Sequence, residues 1–426
     1  MSESPLRQAI ECAAVETGRP MKDLTVLAVA NDPFRVDTPA RHRDGEWLAV
    51  HAERLGLANR TIHLRGLHYA LIGVTKPNGS DYANTDDDWT WLQEKAADAA
   101  RWLGYIPFDR IVDQRNTPPT VRTFTRPNPR PYISVGLEVN IPDADDIEPY
   151  VGAHGFTGVQ PYKVVLFGEK SSLEPVLGPI AEHYAADLYL PTGEVSDTLI
   201  HQMARLGAAD GRPMVVLYFG DCDPAGWQMS ISVARKLQAF RVLLFPDLEF
   251  QVHRVALTPD QVREYGLPST PLKDTEKRGD RWREAMGTEQ TEIDALASLR
   301  PELLGQLARE AIRPFYDPTL VTRVWTAYEA WRQEAQTIVD DSMDWNQREQ
   351  LVSEAEAKLT ELRAEIDAIN SAASVSADEF DLPPIVVPTA ELPDMDRVPL
   401  VDSRWSFVEQ TRALIESKAY RIGGAS

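Results

Sequence analysis

The sequence predicts an α/β protein: a parallel sheet buried on both faces, a helical module before it and a helical extension after it. Three observations predict this. From Pro161 onward the chain carries short, continuous apolar runs, "YKVVLFGE", "ADLYLPTGE", "PMVVLYFGD" and "FRVLLFPDL". Helix-length segments separate them, "SLEPVLGPIAEHYA", "VSDTLIHQMARLGAA" and "PAGWQMSISVARKLQ". Apolar strands alternating with helices build parallel sheets covered on both sides. The 426 residues, 43% hydrophobic, suffice for two or three domains.

Residues 1–39 read as an N-terminal extension, mixing a helical pattern, "SPLRQAIECAAVETG", with the extended "LTVLAVANDPF". Residues 40–150 hold three helix-like segments, "GEWLAVHAERLGLA", "TIHLRGLHYALIG" and "TDDDWTWLQEKAADAARWLG". In the third, Thr85 is an N-cap ahead of three acids. Trp89, Leu92, Ala96, Ala99 and Leu103 then fall at helical spacing. The Pro-rich "DQRNTPPTVRTFTRPNPRPY" follows, with Arg115, Arg122, Arg126 and Arg130. Three helices and a basic extended arm resemble a winged helix-turn-helix module. The same pattern fits an ordinary helical domain with a Pro-rich linker.

The sheet domain is expected over 155–317, where "EFQVHRVALTPDQVREYGLP" reads as an edge strand and a helix. Residues 318–370 read as a helical hairpin. Leu320, Val324, Ala327, Trp331, Ala335 and Ile338 step at helical spacing, as do Ala355, Leu359, Leu362, Ile366 and Ile369. Such helices pair within the chain or along a dimer seam. Residues 371–402 form an acidic, Pro-rich linker, expected to be extended or disordered. Residues 403–426 form an amphipathic tail that docks back or binds a partner.

The formal charge of −21 argues against a nucleic-acid partner at face value. It is unevenly spread: Trp331 to Asp402 holds 17 acidic and 5 basic residues. The remainder is much closer to neutral. Cys12 and Cys222 stand in no metal-ligand spacing, and reduced thiols in a cytoplasmic protein are expected. No signal peptide is expected, and no apolar run approaches the ~18 residues that span a bilayer.

Functional groups of parallel sheets gather beyond the carboxyl ends of the strands. The first run ends in Glu169 and the third in "GDCDPAG", with Asp221 and Asp223. Side chains two apart in an extended segment point the same way, so the two aspartates converge while Cys222 faces away. If the first and third strands are neighbours, Glu169 joins them. Crowded carboxylates raise one another's pKa values. A hard cation such as Mg²⁺, which suits carboxylates plus substrate phosphate oxygens, relieves that. The structural alternative for Asp223 is a helix N-cap ahead of Pro224.

A Glu after one strand and a DxD after a later one resemble the Toprim domain of topoisomerases, primases and some nucleases. "TGE" at Thr192–Glu194 resembles the turn after that family's second strand. The resemblance covers about Pro161 to Leu257. Upstream, "RGLHY" places Tyr69 four residues after Arg65. On a helix both share a face away from Leu64, Leu67 and Leu71. Tyr69 on its own reads as an ordinary core or surface aromatic. Its placement before a Toprim-like region resembles the A subunit of topoisomerase VI and its meiotic double-strand-break relative. "AARWLGYIPFDRIVDQR" resembles the segment that follows the tyrosine in bacterial members. The whole likeness is to single-subunit, Mini-A-type relatives and spans about His51 to Asp317. One departure is His68, where the family often has an aromatic.

The resemblance implies an α/β chain with an N-terminal winged-helix domain, a Toprim Rossmann-like domain and a C-terminal helical extension. It implies Mg²⁺-dependent DNA cleavage, with Tyr69 attacking a phosphate to leave a 5′-phosphotyrosyl link. Arg65 would steady the phosphate. Glu169, Asp221 and Asp223 would hold the metal, Glu169 also moving a proton. Arg115, Arg122, Arg126 and Arg130 would contact DNA, with Lys277, Arg278, Arg281 and Arg283 as weaker candidates. A homodimer is implied, because tyrosine and metal come from opposite subunits in the family. No Gly-rich ATP site is present, so ATP-driven strand passage would need a separate ATPase partner. Two other readings stand beside it. One is a Toprim nuclease using water, with Tyr69 structural. The other is a non-enzymatic DNA-binding or assembly protein.

Overall fold

Three of the four apolar runs after Pro161 lie in the middle of a six-stranded mixed sheet. The computed structural model describes residues 4–28, 30–55, 61–112, 119–139, 147–191, 195–273, 276–359, 376–393 and 398–417. With 54% helix and 13% strand, the fold is mixed α/β. In chain order it begins with α1 (Pro5–Thr17), α2 (Pro39–Arg54), β1 (Ile62–His63), α3 (Leu64–Ala70), α4 (Asp86–Trp91) and α5 (Asp98–Trp102). Then come β2 (Ile111–Val112), β3 (Thr120–Arg122), β4 (Tyr132–Val139), β5 (Ile147–His154), β6 (Lys163–Gly168), α6 (Glu174–Tyr184) and β7 (Asp187–Leu190). Next are α7 (Asp197–Asp210), β8 (Met214–Phe219), α8 (Pro224–Leu243), β9 (Phe250–Ala256), α9 (Pro259–Tyr265) and α10 (Gly279–Met286). The chain closes with α11 (Ile293–Leu299), α12 (Pro301–Ile312), α13 (Leu320–Ser342), α14 (Trp345–Leu359), β10 (Val401–Asp402) and α15 (Phe407–Glu416).

The chain packs as two units that cut across the boundaries read from the sequence. The first comprises Met1–Phe124, Tyr162–Phe315 and Asp394–Ser426. The second comprises Thr125–Pro161 and Tyr316–Pro393. No helix among the described residues is long and apolar enough to cross a membrane.

In the first unit the strand order is β10-β9-β8-β6-β7-β3. The four inner strands run parallel, while β10 and β3 are antiparallel edges. The first and third apolar runs are therefore neighbours, paired from Lys163↔Met214 to Gly168↔Phe219. Every residue of β6, β7 and β8 is buried, as continuous apolar runs require. Val165, Phe167, Val216 and Tyr218 join α1, α7, α8 and α15 in one core. By alternation Val164, Leu166, Val215 and Leu217, also buried, face the opposite side.

Three expectations are corrected. "FRVLLFPDL" is no strand: its first residues are the last turn of α8, and the strand is β9. A short buried apolar run looks the same in either structure. Nor is β9 an edge, because Val401 pairs with Val252 from a segment far downstream. The basic arm supplies β3 to the sheet, Val121 pairing with Tyr189. The N-terminal extension is integral to the sheet's core through Leu6, Ile10, Val26 and Phe34. The C-terminal tail docks back: Phe407 meets Phe34 edge-on at 4.9 Å and Leu414 is buried.

The helical module has its own core of Leu48, Leu64, Leu67, Leu71, Leu92, Ala96 and Ala100. Thr85 caps α4 as predicted, its Oγ accepting from the Asp88 amide at 3.2 Å. A π-helical turn at Leu92–Ala97 joins α4 to α5. In the second unit the β4–β5 hairpin packs Val151 and Ala153 against Trp331, Ala335 and Val339 of α13. The α13 stripe thus follows the predicted helical spacing, with the hairpin as its partner. The rest of the second stripe, Leu362, Ile366 and Ile369, lies outside the described residues. Within the acidic linker, residues 376–393 carry no strand or α-helix, only a 3-10 turn at Ala377–Glu379, and half-buried Phe380, Leu382 and Ile385 pack on the α13 core, with Trp331 Nε1 donating to the Pro383 carbonyl at 2.9 Å.

Candidate functional site

Because β6 and β8 are adjacent and parallel, their carboxyl ends deliver Glu169 and Asp221 to one place. Glu169 Oε2 accepts from the Asp221 amide at 2.9 Å. Two glycines make that approach feasible. A Cβ at Gly220 would stand 2.7 Å from Glu169 Oε2, and one at Gly226 would stand 2.9 Å from it. Asp221 Oδ1 accepts from the Ile293 amide at 2.7 Å. Asp223 is the N-cap of α8, its Oδ1 accepting from Ala225 N at 2.9 Å and Gly226 N at 2.7 Å. The capping role foreseen for Asp223 is therefore present. Cys222 is fully buried, and burial pushes its thiol up to about 12.

Burial, with the charges of Asp221 and Asp223 adding to it, raises the Glu169 carboxyl to about 7. Burial also raises Asp221, opposed by the Ile293 amide and Lys170 and reinforced by Asp223. The fully buried Tyr218 hydroxyl is held far above its usual range by burial and by Glu169. It lies beside the same Gly220 position and has no hydrogen-bond partner among the described residues.

Sequence reasoning missed Lys170, Glu292 and Asp294. Lys170 Nζ lies 3.1 Å from Asp221 Oδ2, 3.2 Å from Glu292 Oε2 and 3.0 Å from Asp294 Oδ2. Ser172 Oγ donates to the other Asp294 oxygen. Lys170 sits beside Glu169 in the chain and was available to inspection. Glu292 and Asp294 are more than 120 residues away, at the start of a short helix, and carry no local signal.

Tyr69 belongs to a different cluster. Leu64, Leu67 and Leu71 bury one face of α3 in the helical module, and Tyr69 is left 59% exposed opposite them. Arg65 is also exposed, with its guanidinium 5.9 Å from the Trp89 ring centre. The Tyr69 ring meets His68 edge-on at 5.0 Å. His68 itself is buried, between the Tyr82 hydroxyl at 2.7 Å and Asn84 Oδ1 at 2.9 Å. Since Asn84 Oδ1 only accepts, Nε2 carries the proton and Tyr82 donates to Nδ1. His68 is thus occupied in holding α3.

The arginines do not form one group. Arg122 bridges Glu174 and Glu182 of α6, which occupies its guanidinium within the chain. Arg126 and Arg130 are exposed in the second unit. Arg115 lies outside the described residues, as does "TGE" at 192–194. Of the weaker candidates, Arg278 pairs with Glu276, and Arg283 with Asp280 and Glu289.

The donors at the strand ends are hard oxygens, two of them on carboxyls raised by burial, Glu169 and Asp221, with an unsatisfied hydroxyl beside them, which suits a hard divalent cation. Among the described residues, however, no group of three or more His, Cys, Asp or Glu is arranged to hold a metal. Asp223 is turned to its cap, and the Lys170 ammonium supplies the positive charge. No protein-family model matches the chain, and no curated protein matches it.

Proposed function

We propose that the chain is a DNA-cleaving transesterase of the topoisomerase VI A-subunit type, with a winged-helix-like module carrying Tyr69 and a Toprim-like sheet domain. The observation that carries this reading is the meeting of Glu169 and Asp221, with Asp223 two residues on, at the ends of adjacent parallel strands. Exposure of Tyr69 beside Arg65 on the face of α3 opposite its buried leucines supports it. In this reading the Tyr69 hydroxyl gives up its proton to solvent as Oη bonds to a DNA phosphorus, the P–O3′ bond breaks with its electron pair on O3′, and that leaving oxygen takes up a proton. Arg65 neutralises the phosphate. Glu169 is also available to move a proton at the leaving oxygen. Glu169, Asp221 and Asp223 would hold Mg²⁺, which supplies charge stabilisation for the leaving oxygen. Tyr69 and the carboxylates lie in different clusters, which accords with sites completed between two copies, a homodimer acting on DNA. Arg126 and Arg130, both exposed, would contact phosphates, and an ATPase partner would be a separate chain.

The test is DNA cleavage by the full chain in Mg²⁺, beside Tyr69→Phe and Asp221→Ala. Loss of cleavage in both variants is expected. Cleavage that survives Tyr69→Phe but not Asp221→Ala would mean a water-using nuclease. Binding without cleavage in every case would mean a DNA-binding protein.

A further inference from the structure

We infer that Lys170 is a built-in cation that holds Asp221 until a divalent ion arrives, and that Glu292 and Asp294 are the seat to which its ammonium then retreats. This rests on the metal-binding reading of Glu169, Asp221 and Asp223. The Lys170 ammonium has three carboxylate oxygens around it, at 3.1 Å (Asp221), 3.2 Å (Glu292) and 3.0 Å (Asp294). That is the arrangement of a bound cation, with an amine in place of the ion. A divalent ion that engages Asp221 Oδ2 would stand within a few ångströms of Nζ, and the repulsion between the two cations drives the ammonium away.

The retreat is built into the segment that follows Thr291. Glu292 and Asp294 already touch the ammonium, so displacement removes one of three partners rather than all of them. Ser172 holds the far oxygen of Asp294, which keeps that seat in place. The Ile293 amide, between the two acids, holds Asp221 Oδ1 at 2.7 Å. One short stretch therefore fixes both the carboxylate being vacated and the one being entered. The Lys170 side chain is only 25% exposed, so an ammonium with nowhere to go would resist displacement. The flexible stem of lysine allows such a shift, which the rigid fork of arginine would not. None of these acids carries a motif of its own; the juxtaposition is what assigns the role.

The experiment measures Mn²⁺ binding to the full chain by calorimetry and by loss of free-ion electron spin resonance signal, with no DNA present. Lys170→Gln removes the competitor and should bind Mn²⁺ more tightly by about tenfold, within the ~5- to 150-fold range usual for coupled ligands. Glu292→Gln with Asp294→Asn removes the retreat and should weaken binding by a similar factor. The opposite signs distinguish a competing cation from a general disturbance. Equal or weaker binding by Lys170→Gln overturns the inference if wild type binds and Asp221→Asn does not. Tighter binding by the Glu292/Asp294 double variant also overturns it, as does Mn²⁺ binding by none of the proteins. If Asp221→Asn binds as well as wild type, the metal reading itself has failed. Should Lys170→Gln not fold, the double variant's loss of affinity and the rise of its melting temperature with Mn²⁺ decide the matter. A Mn²⁺-induced rise as large as that of wild type would overturn it.

Discussion

Glu169 Oε2 accepts a hydrogen bond from the Asp221 amide at 2.9 Å, which ties the ends of two parallel strands together through a carboxyl raised to about 7.

The first consequence is a pH dependence of stability. Burial lifts Glu169 from 4.5 to about 7. A carboxyl raised on folding binds more protons folded than unfolded between those values, so stability falls as pH rises through that window. The full effect is about 3 kcal/mol, lost by pH 7 and above. Glu169→Gln should flatten that slope in melting curves taken from pH 4.5 to 8. An unchanged slope in the variant would assign the effect elsewhere.

Gly220 should tolerate no side chain. A Cβ there would stand 2.6 Å from the Tyr218 ring and 2.7 Å from Glu169 Oε2. Gly220→Ala is expected to cost about 1–3 kcal/mol by overpacking and to displace Glu169. Urea denaturation reads the first effect, and Mn²⁺ titration reads the second as weaker binding.

Asp223 has two roles that substitution can separate. Both cap bonds end on Oδ1. Asp223→Asn keeps the cap and should stay within ~0.5 kcal/mol of wild type, whereas Asp223→Ala should lose about 0.5–2 kcal/mol. DNA cleavage should be lost in both. Wild-type cleavage by Asp223→Asn would leave the residue as a cap alone.

Away from the site, stability depends on a fully buried ion pair. Asp32 Oδ1 takes Arg235 Nε at 3.1 Å, and its oxygens also accept from the amides of Val26, Leu27 and Phe34. Asp32→Ala strands the guanidinium and should cost about 3–5 kcal/mol in urea denaturation. Arg235→Met should cost less, because the three amides still satisfy Asp32.

Local patterns were legible in the sequence. The leucine stripe that leaves Tyr69 exposed, the Thr85 cap and the two-sided burial of β6, β7 and β8 all follow from spacing along the chain. Adjacency of the first and third strands is not legible in the sequence, since pairing order is not a local property. The same holds for β10 against β9, and for Lys170 against Asp294, which are 124 residues apart. The end of α8 was misread because a buried helical turn and a buried strand are equally apolar. Arg122 looked available because its partners Glu174 and Glu182 lie on a later helix.

The most direct measurement is covalent capture. DNA labelled at its 5′ ends inside the break, incubated with the full chain and Mg²⁺, is denatured in detergent and separated from free DNA. The account predicts label carried with the protein, attached through Tyr69 in the recovered peptide, and none with Tyr69→Phe or Asp221→Ala. Broken DNA with no label on the protein, or label retained by Tyr69→Phe, would contradict it.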